Sequence, residues 1–351
     1  MLEKISAIGL MSGTSVDGLD LCYSAFTKTE HNIWNFEILK TETYAYPLEW
    51  EDKLLNSINA TATELMKLNS DYGFYLGMQV QKFIRENSIQ QVDVVASHGH
   101  TVFHQPQKRF TTQIGDGRAI KIVTDIPVVY DFRSQDVLLG GNGAPLVPIG
   151  DHLLFSEYDA CFNMGGFSNI SLSFKGKRIA FDICPVNIVQ NHYAEKLNKK
   201  FDSNGDLARS GNVNVEILET LNNLEFYKIT GPKSLGREWV VKEVFPLLDQ
   251  MKTEDALATV AEHSAEKIAE VFRFYHLKNV LVTGGGAYNT HLISKIREKT
   301  ETNVIIPDPV LVDFKEALIF AFMGVLRIKN EINVLSSATG SSRDHCTGIL
   351  V

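Results

Sequence analysis

The chain has 351 residues, of which 44% are hydrophobic and 22% charged, and these proportions are ordinary for a globular protein. Its length exceeds the size at which a single core stops growing, so we expect two domains. A net charge of -8 argues against a nucleic-acid-binding surface, although backbone N–H groups and a metal ion still allow phosphate binding.

The cysteines and the apolar segments indicate the cellular compartment of the protein. Four cysteines lie far apart without a C-x-x-C pair, which predicts neither a zinc site nor a disulfide framework and favours a reducing compartment. No apolar run reaches the roughly 18 residues of a membrane span, and the N-terminus lacks a signal-peptide pattern. We therefore expect a cytoplasmic protein with no membrane partner.

The first half of the chain predicts a strand meander, then helices, then one short buried strand. The expected strands span residues 5–10, 19–26, 36–43 and 92–97, and the expected helices span 49–59 and 62–87. The last strand delivers His98, His100 and Thr101 at its C-terminal end, where open α/β sheets bind their ligands. The Gly- and Pro-rich segment 138–148 is the expected crossing between two lobes.

The second half repeats this order of elements. The expected strands span residues 160–164, 170–174, 178–181 and 279–282, and the expected helices span 185–199, 213–224, 255–276 and 316–329. Repetition at this distance indicates a duplicated architecture.

Glycine-rich turns between these elements are candidate phosphate sites, because glycines let backbone N–H groups approach a ligand and hydroxyls donate further hydrogen bonds. The first turn contributes Gly13, Thr14, Ser15, Val16, Asp17, Gly18, Leu19 and Asp20. The second and third turns contribute Gly165, Gly166, Gly284, Gly285, Gly286 and Asn289. The third turn follows a strand and opens a helix, an order that suits close approach to an adenosine or a phosphate.

Other nucleotide-binding and hydrolytic motifs are missing from the sequence. Nothing supplies the lysine of a P-loop, the H-R-D segment of a protein kinase or a G-x-S-x-G elbow. A Rossmann fold is a poor match, since the N-terminal strands form a meander rather than a βαβ unit. A phosphate site built from two β-hairpins remains.

Nine blocks along the chain resemble the anhydro-N-acetylmuramic acid kinase family. In order they are residues 11–20 (MSGTSVDGLD), 97–101 (SHGHT), 113–116 (QIGD), 131–133 (DFR), 140–148 (GGNGAPLVP), 163–170 (NMGGFSNI), 232–238 (PKSLGRE), 284–289 (GGGAYN), and Glu316 with Ala317. They span nearly the whole chain in the order of the family.

The resemblance implies an α/β fold of two ribonuclease-H-like domains of the actin, sugar-kinase and heat-shock ATPase type, with a central cleft and usually as a homodimer. We expect the N-terminal lobe to comprise residues 1–134 and 330–351, and the C-terminal lobe residues 135–329. The implied cofactors are ATP and Mg²⁺, with the ligands of the ion left open. In the implied reaction, 1,6-anhydro-N-acetylmuramic acid is opened by water and phosphorylated on O6, a step of peptidoglycan recycling.

The resemblance also implies roles for individual residues. Asp182 is the expected general base, and His98, Thr101, Arg133 and Glu316 are the expected sugar contacts. Arg133 suits the lactyl carboxylate because a guanidinium binds a carboxylate with two hydrogen bonds.

Each of these residues also has a simpler interpretation. The first glycine turn could be only a tight hairpin, and Asp182 could cap the helix that follows it. His98, His100 and His104 could bind a metal, although no supporting carboxylate pattern accompanies them. Arg133 could belong to a structural ion pair, and Glu316 could be the solvated edge of an apolar helix.

One segment departs from the family pattern. Where the family commonly has Asp-Thr-Gly-Pro-Gly-Asn, this chain has Asp182, Ile183, Cys184, Pro185, Val186 and Asn187. Losing two glycines and a hydroxyl beside the expected base leaves two alternatives open: a same-fold kinase for another sugar, or a non-catalytic ATP-binding regulatory module.

Overall fold

A computed structural model describes residues 3–13, 16, 18–229 and 231–351. The chain divides into two compact units. The first contains the residues up to Phe155 together with Phe314–Val351, and the second is Ser156–Asp313.

The described residues form strands and helices in alternation. The strands are β1 (Lys4–Ser12), β2 (Leu19–Lys28), β3 (Trp34–Tyr44), β4 (Val94–Ser97), β5 (His100–Gln105), β6 (Phe110–Ile114), β7 (Val128–Tyr130), β8 (Ala160–Met164), β9 (Phe167–Phe174), β10 (Lys177–Pro185), β11 (Asn279–Thr283), β12 (Asn303–Ile305) and β13 (Ile349–Leu350). The helices are α1 (Leu48–Leu55), α2 (Ala62–Glu86), α3 (Gly117–Thr124), α4 (Ser134–Leu138), α5 (Pro148–Leu154), α6 (Asn187–Glu195), α7 (Asp206–Ser210), α8 (Val215–Asn222), α9 (Glu225–Lys228), α10 (Arg237–Trp239), α11 (Phe245–Leu248), α12 (Thr253–Phe274), α13 (Thr290–Lys299), α14 (Pro309–Ile328) and α15 (Ser336–Thr339).

The two units contain sheets of the same topology. In the first unit the order is β13-β7-β4-β1-β2-β3, with an antiparallel β1–β2–β3 meander and with β4 and β7 parallel to β1. In the second unit the order is β10-β9-β8-β11-β12, with an antiparallel β8–β9–β10 meander and with β11 and β12 parallel to β8. This repeated order confirms the prediction of two ribonuclease-H-like α/β domains.

Burial on both faces explains why the central strands are apolar without alternation. β1 is buried along most of its length, and α14 crosses it at backbone distance, since a Cβ on Gly9 would overlap Ala317 O of α14. On the other face, side chains of β1 and α2 share one hydrophobic core. α2 begins at a capping box in which Thr61 and Glu64 satisfy each other's backbone N–H groups.

The unit boundaries differ from the expected lobe limits. The segment 138–148 lies within the first unit, and α5 and residues 314–329 belong to that unit as well. A buried ion pair accounts for this, because Lys315 Nζ of α14 lies 2.6 Å from Asp151 Oδ1 of α5 and also over the ring of Phe155. Sequence periodicity cannot reveal such a contact between distant segments.

The strand predictions missed short elements rather than long ones. The β5–β6 hairpin, β7, β12 and β13 were not predicted, since strands of two to six residues carry little periodic signal. In the part of the chain that the structure describes, none of the helices has the length and apolarity needed to cross a bilayer.

Candidate functional site

Residues expected to contact the sugar gather at one edge of the first sheet. β4 and β7 are parallel neighbours, so their carboxyl ends deliver His98 and the 131–133 segment side by side. Arg133 Nε donates to His98 Nε2 at 3.0 Å, and the other ring nitrogen, Nδ1, bonds Gly99 O at 2.8 Å. Both imidazole nitrogens are therefore engaged by the protein.

His98 is held as a neutral acceptor. Burial, helped by the nearby Arg133 guanidinium, lowers the pKa of His98 to about 3. A neutral ring with Nδ1 protonated can donate to Gly99 and accept from Arg133 at the same time. In this arrangement both ring nitrogens are taken up by protein partners, and no group of three His, Cys, Asp or Glu side chains among the described residues is placed to hold a metal ion.

Arg133 and Glu316 interact electrostatically in the first unit. Burial lowers the pKa of Arg133 to about 10, and the charge of Glu316 opposes that shift. Glu316 is exposed on α14, one turn before Phe320, whose ring centre lies 4.8 Å from that of His98. The Glu316 carboxylate thus lies on the helix face that contacts His98. It is also exposed to solvent, as expected for a residue at the solvated edge of an apolar helix.

Thr101 is oriented by a neighbouring strand. Gln113 Nε2 of β6 donates to Thr101 Oγ1 of β5 at 3.2 Å and to Thr111 Oγ1 at 2.9 Å. Because the Thr101 oxygen accepts from Gln113, its own proton is available to donate elsewhere.

The first glycine turn is described in part. Val16 N donates to Gly13 O at 3.3 Å, and Val16 has φ of 54°, which is unusual for a β-branched residue. Gly18 is packed, since a Cβ there would lie 2.7 Å from Thr43 Cγ2, and Thr43 also donates to Asp20 Oδ1 at 2.6 Å. Leu19 is buried. The predictions for Thr14, Ser15 and Asp17 lie outside the described residues.

The second glycine turn is anchored by its carbonyl groups. Asn187 N at the start of α6 donates to Gly165 O at 3.2 Å, and Val186 N donates to Gly166 O at 2.9 Å. In a trans peptide the N–H points opposite to the C=O of the same unit. The N–H groups of Gly166 and Phe167 therefore point away from α6.

The glycines of the second unit fall into two kinds. A Cβ on Gly284 would overlap Asn163 Oδ1, and one on Gly286 would lie 2.7 Å from Met164 Cβ, so the fold itself requires these two. A Cβ on Gly165, Gly166 or Gly285 would come no closer than 3.4 Å to any of its neighbours, at negative or extended φ. Packing within the protein therefore does not require glycine at these three positions. Close approach of a ligand to them stays a prediction.

Asn289 has a structural role within the second unit. Its Oδ1 accepts from Leu292 N at the start of α13, and its Nδ2 donates to Gln190 Oε1 at 2.9 Å. The side chain is buried and ties α13 to α6. Direct contact of Asn289 with a nucleoside stays a prediction.

Asp182 lies in β10 at a register irregularity and is held by the 233–235 segment. Leu235 N donates to Asp182 Oδ2 at 2.7 Å, and Asp182 N donates to Lys233 O at 2.9 Å. Burial raises the pKa of the Asp182 carboxyl, and the Leu235 hydrogen bond only partly opposes this. Asp182 does not cap α6, which starts at Val186 without a side-chain cap.

The side chains that depart from the family pattern are buried in the hydrophobic core of the second unit. Ile183, Cys184 and Val186 are each at most 2% exposed and belong to one hydrophobic cluster. Val186 has φ of -126°, so the turn beside Asp182 needs no left-handed residue there. Burial raises the pKa of the Cys184 thiol to about 11, which makes it a packed rather than a reactive cysteine.

Sequence reasoning gave no role to the residues that hold the candidate site residues. Leu235 and Gln113 lie inside blocks that resemble the family, yet the hydrogen bonds they make to Asp182 and Thr101 appear only in three dimensions. Asp136 was not considered at all. Its spacing of three residues from Arg133 on one helical turn was the available signal.

Comparisons with known proteins agree with the resemblance. A family model described as anhydro-N-acetylmuramic acid kinase matches residues 5–351. A relative of that name from Francisella tularensis subsp. novicida is 32% identical, covering 97% of each chain, and one from Sulfurimonas denitrificans is 32% identical, covering 98% of each. A solved structure, component A of the (R)-2-hydroxyglutaryl-CoA dehydratase of Acidaminococcus fermentans, covers 91% of this chain and 97% of its own at 12% identity, with a TM-score of 0.46.

Proposed function

Because this chain belongs to the anhydro-N-acetylmuramic acid kinase family, we propose that it opens 1,6-anhydro-N-acetylmuramic acid with water and phosphorylates O6 at the expense of ATP. The product is N-acetylmuramic acid 6-phosphate. One observation supports the assignment to an active enzyme: Asp182 is a carboxylate of raised pKa that a backbone N–H holds in place, and none of the described residues forms an ion pair with it that would weaken it as a base.

Asp182 acts as the general base in this reaction. Its Oδ2 accepts from Leu235 N, and its Oδ1 makes no hydrogen bond or ion pair with any described residue, so Oδ1 receives the proton of the attacking water. The water oxygen bonds to the anomeric carbon as the bond from that carbon to O6 breaks. O6 then attacks the γ-phosphorus of ATP, and ADP leaves. Burial raises the pKa of the Asp182 carboxyl, which makes the carboxylate a stronger base.

The sugar is recognised by the fixed donors of the first unit. Arg133 uses Nε on His98 and Nη1 on Gly143 O at 2.6 Å, which leaves Nη2 for the lactyl carboxylate. Thr101 has its hydroxyl proton free to donate, and Glu316 provides an exposed acceptor.

The nucleotide is recognised by glycine N–H groups. The outward N–H groups of Gly166 and Phe167, with the open space at Gly165 and Gly285, fit a phosphate chain that approaches the backbone closely. Mg²⁺, when bound, neutralises charge on the transferred phosphate. Asp20 is a carboxylate of the first turn and is our candidate for holding the ion, directly or through water.

We also propose that the protein is cytoplasmic and forms a homodimer. Light scattering of the purified protein measures its mass in solution and so tests the homodimer.

The direct test is release of ADP by the purified protein. We expect ADP with 1,6-anhydro-N-acetylmuramic acid and none with N-acetylglucosamine or unmodified N-acetylmuramic acid. Mass spectrometry should show a product heavier than the substrate by one water and one phosphoryl group.

Each other outcome has a definite meaning. Turnover of a different sugar in preference to the anhydro sugar would overturn the substrate assignment. Nucleotide binding without turnover of any of these sugars would favour a regulatory module. The burial of Ile183, Cys184 and Val186 supports the anhydro sugar as substrate, because these three side chains pack into the core of the second unit.

A further inference from the structure

We propose that Asp136 and the C-terminal segment 339–345 position Arg133 for the carboxylate of the sugar, through the glycine loop 140–143. Asp136 is a positioning residue in this proposal, which rests on the proposed function. The hydrogen bonds that link Arg133 to Asp136 and to the C-terminal segment all lie within the first unit.

The orientation of Arg133 depends on the glycine loop. Its guanidinium is held at two points, by His98 Nε2 and by Gly143 O. Gly143 is itself in a left-handed conformation with φ of 68°. If Gly143 moves, the guanidinium keeps only one of its two attachment points and can rotate about it.

Asp136 accepts hydrogen bonds from two backbone N–H groups of that loop. Gly143 N donates to Asp136 Oδ2 at 2.7 Å, and Gly141 N donates to Asp136 O at 2.9 Å. A Cβ on Gly141 would overlap Asp136 Oδ2, so only glycine allows the loop to come this close. Asp136 is fully buried, and a buried carboxylate without partners would be costly, which indicates that its contacts are specific.

The remaining contacts of Asp136 come from the C-terminal segment. Thr339 Oγ1 donates to Asp136 Oδ1 at 2.7 Å, and His345 Nε2 lies 3.7 Å from the same oxygen. Two backbone bonds join the same segments, from Asn142 N to Thr339 O at 2.8 Å and from Ser342 N to Leu139 O at 3.1 Å. Residues about 200 positions away in sequence thus complete the support of Arg133.

Steady-state kinetics of three variants test this proposal. Asp136→Asn and Thr339→Val should raise KM for the anhydro sugar, by about tenfold and by about three- to tenfold, because each removes one or more hydrogen bonds from the support. KM for ATP should not change. Thr339→Ser keeps the hydroxyl and should restore a near wild-type KM.

Two controls separate positioning from stability. Asp93→Asn removes a carboxylate that accepts from Ser6 N and Ser6 Oγ, at the opposite end of β4 from His98, so it should lower the melting temperature without raising KM for the sugar. In an Arg133→Met background, Thr339→Val should cause no further rise in KM, since the group that it positions is gone.

The outcomes are distinct. Wild-type KM for the sugar in Thr339→Val, with only a lowered melting temperature, would overturn the positioning role, and this variant decides the matter even if Asp136→Asn does not fold. An undiminished effect of Thr339→Val in the Arg133→Met background would also overturn it. A wild-type protein without turnover of the anhydro sugar would overturn the proposed function and the inference that rests on it.

Discussion

The two units share one sheet topology but have different chemistry at the same edge. Charged and polar side chains lie near the strand ends of the first unit: Arg133 bonds His98 and interacts with the charge of Glu316 on α14, and Thr101 is held by Gln113. In the second unit, glycines with open Cβ directions follow β8 and β11, and the carboxylate of Asp182 lies in β10 three residues before that strand ends. The same topology thus carries different groups in the two units, and we propose that those of the first suit a small polar molecule and those of the second a phosphate chain.

The largest effect is expected at the carboxylate of the second unit. Asp182→Asn should lower kcat by about 10²- to 10⁴-fold, the usual contribution of a general base, because the amide cannot take the proton of water. Affinity for ATP, measured by calorimetry, should stay near the wild-type value. Comparable turnover in this variant would exclude Asp182 as the base, and a matched loss of ATP affinity would point to a different role.

Arg133→Lys tests the guanidinium of the first unit. Lysine keeps the charge but cannot bond His98, Gly143 and a carboxylate in one plane, so KM for the anhydro sugar should rise by about 10- to 100-fold. KM for ATP, measured in the same assay, should remain unchanged. A rise in KM for ATP alone would contradict the assignment of Arg133 to the sugar and would indicate that it contacts the nucleotide.

Two glycine variants test the distinction between ligand-facing and fold-required glycines. Gly166→Ala keeps the backbone N–H, but its Cβ should hold the phosphate away from the backbone and weaken that hydrogen bond, so KM for ATP should rise by about tenfold with little change in melting temperature. Gly286→Ala should instead destabilise the second unit by about 1–3 kcal/mol, because its Cβ would be overpacked against Met164. Equal behaviour of the two in thermal denaturation would contradict this distinction.

The smallest effect concerns two of the buried histidines, His98 in the first unit and His263 in the second. His98 and His263 both have their pKa lowered by burial to about 3. The unfolded chain binds a proton near pH 6.5 and the folded chain does not, so stability is fully present above pH 6.5 and is lost as pH falls toward 3. His98→Asn should flatten this dependence by up to about 1.4 kcal/mol per pH unit, measured by urea unfolding between pH 6.5 and 5. An unchanged slope would mean that His98 is protonated in the folded protein.

The fold was largely predictable because its elements carry local signals. Apolar meanders, buried strands and glycine turns are visible as patterns of neighbouring residues, and their repetition indicated the duplication. Short strands such as β7 and β12 were missed because three residues hold no periodicity. The lobe limits also differed, because the buried pair Lys315–Asp151 joins segments far apart in the chain.

The sequence by itself determined the two-domain α/β fold, the glycine turns and, through resemblance, the family. Only the tertiary structure decided which glycines face open space, that Asn289 caps a helix, that Asp182 is held by Leu235, and that Asp136 and Thr339 support Arg133. The physical reason is that a residue type states which hydrogen bonds a group is able to make, whereas the partner that it meets is set by how distant segments pack.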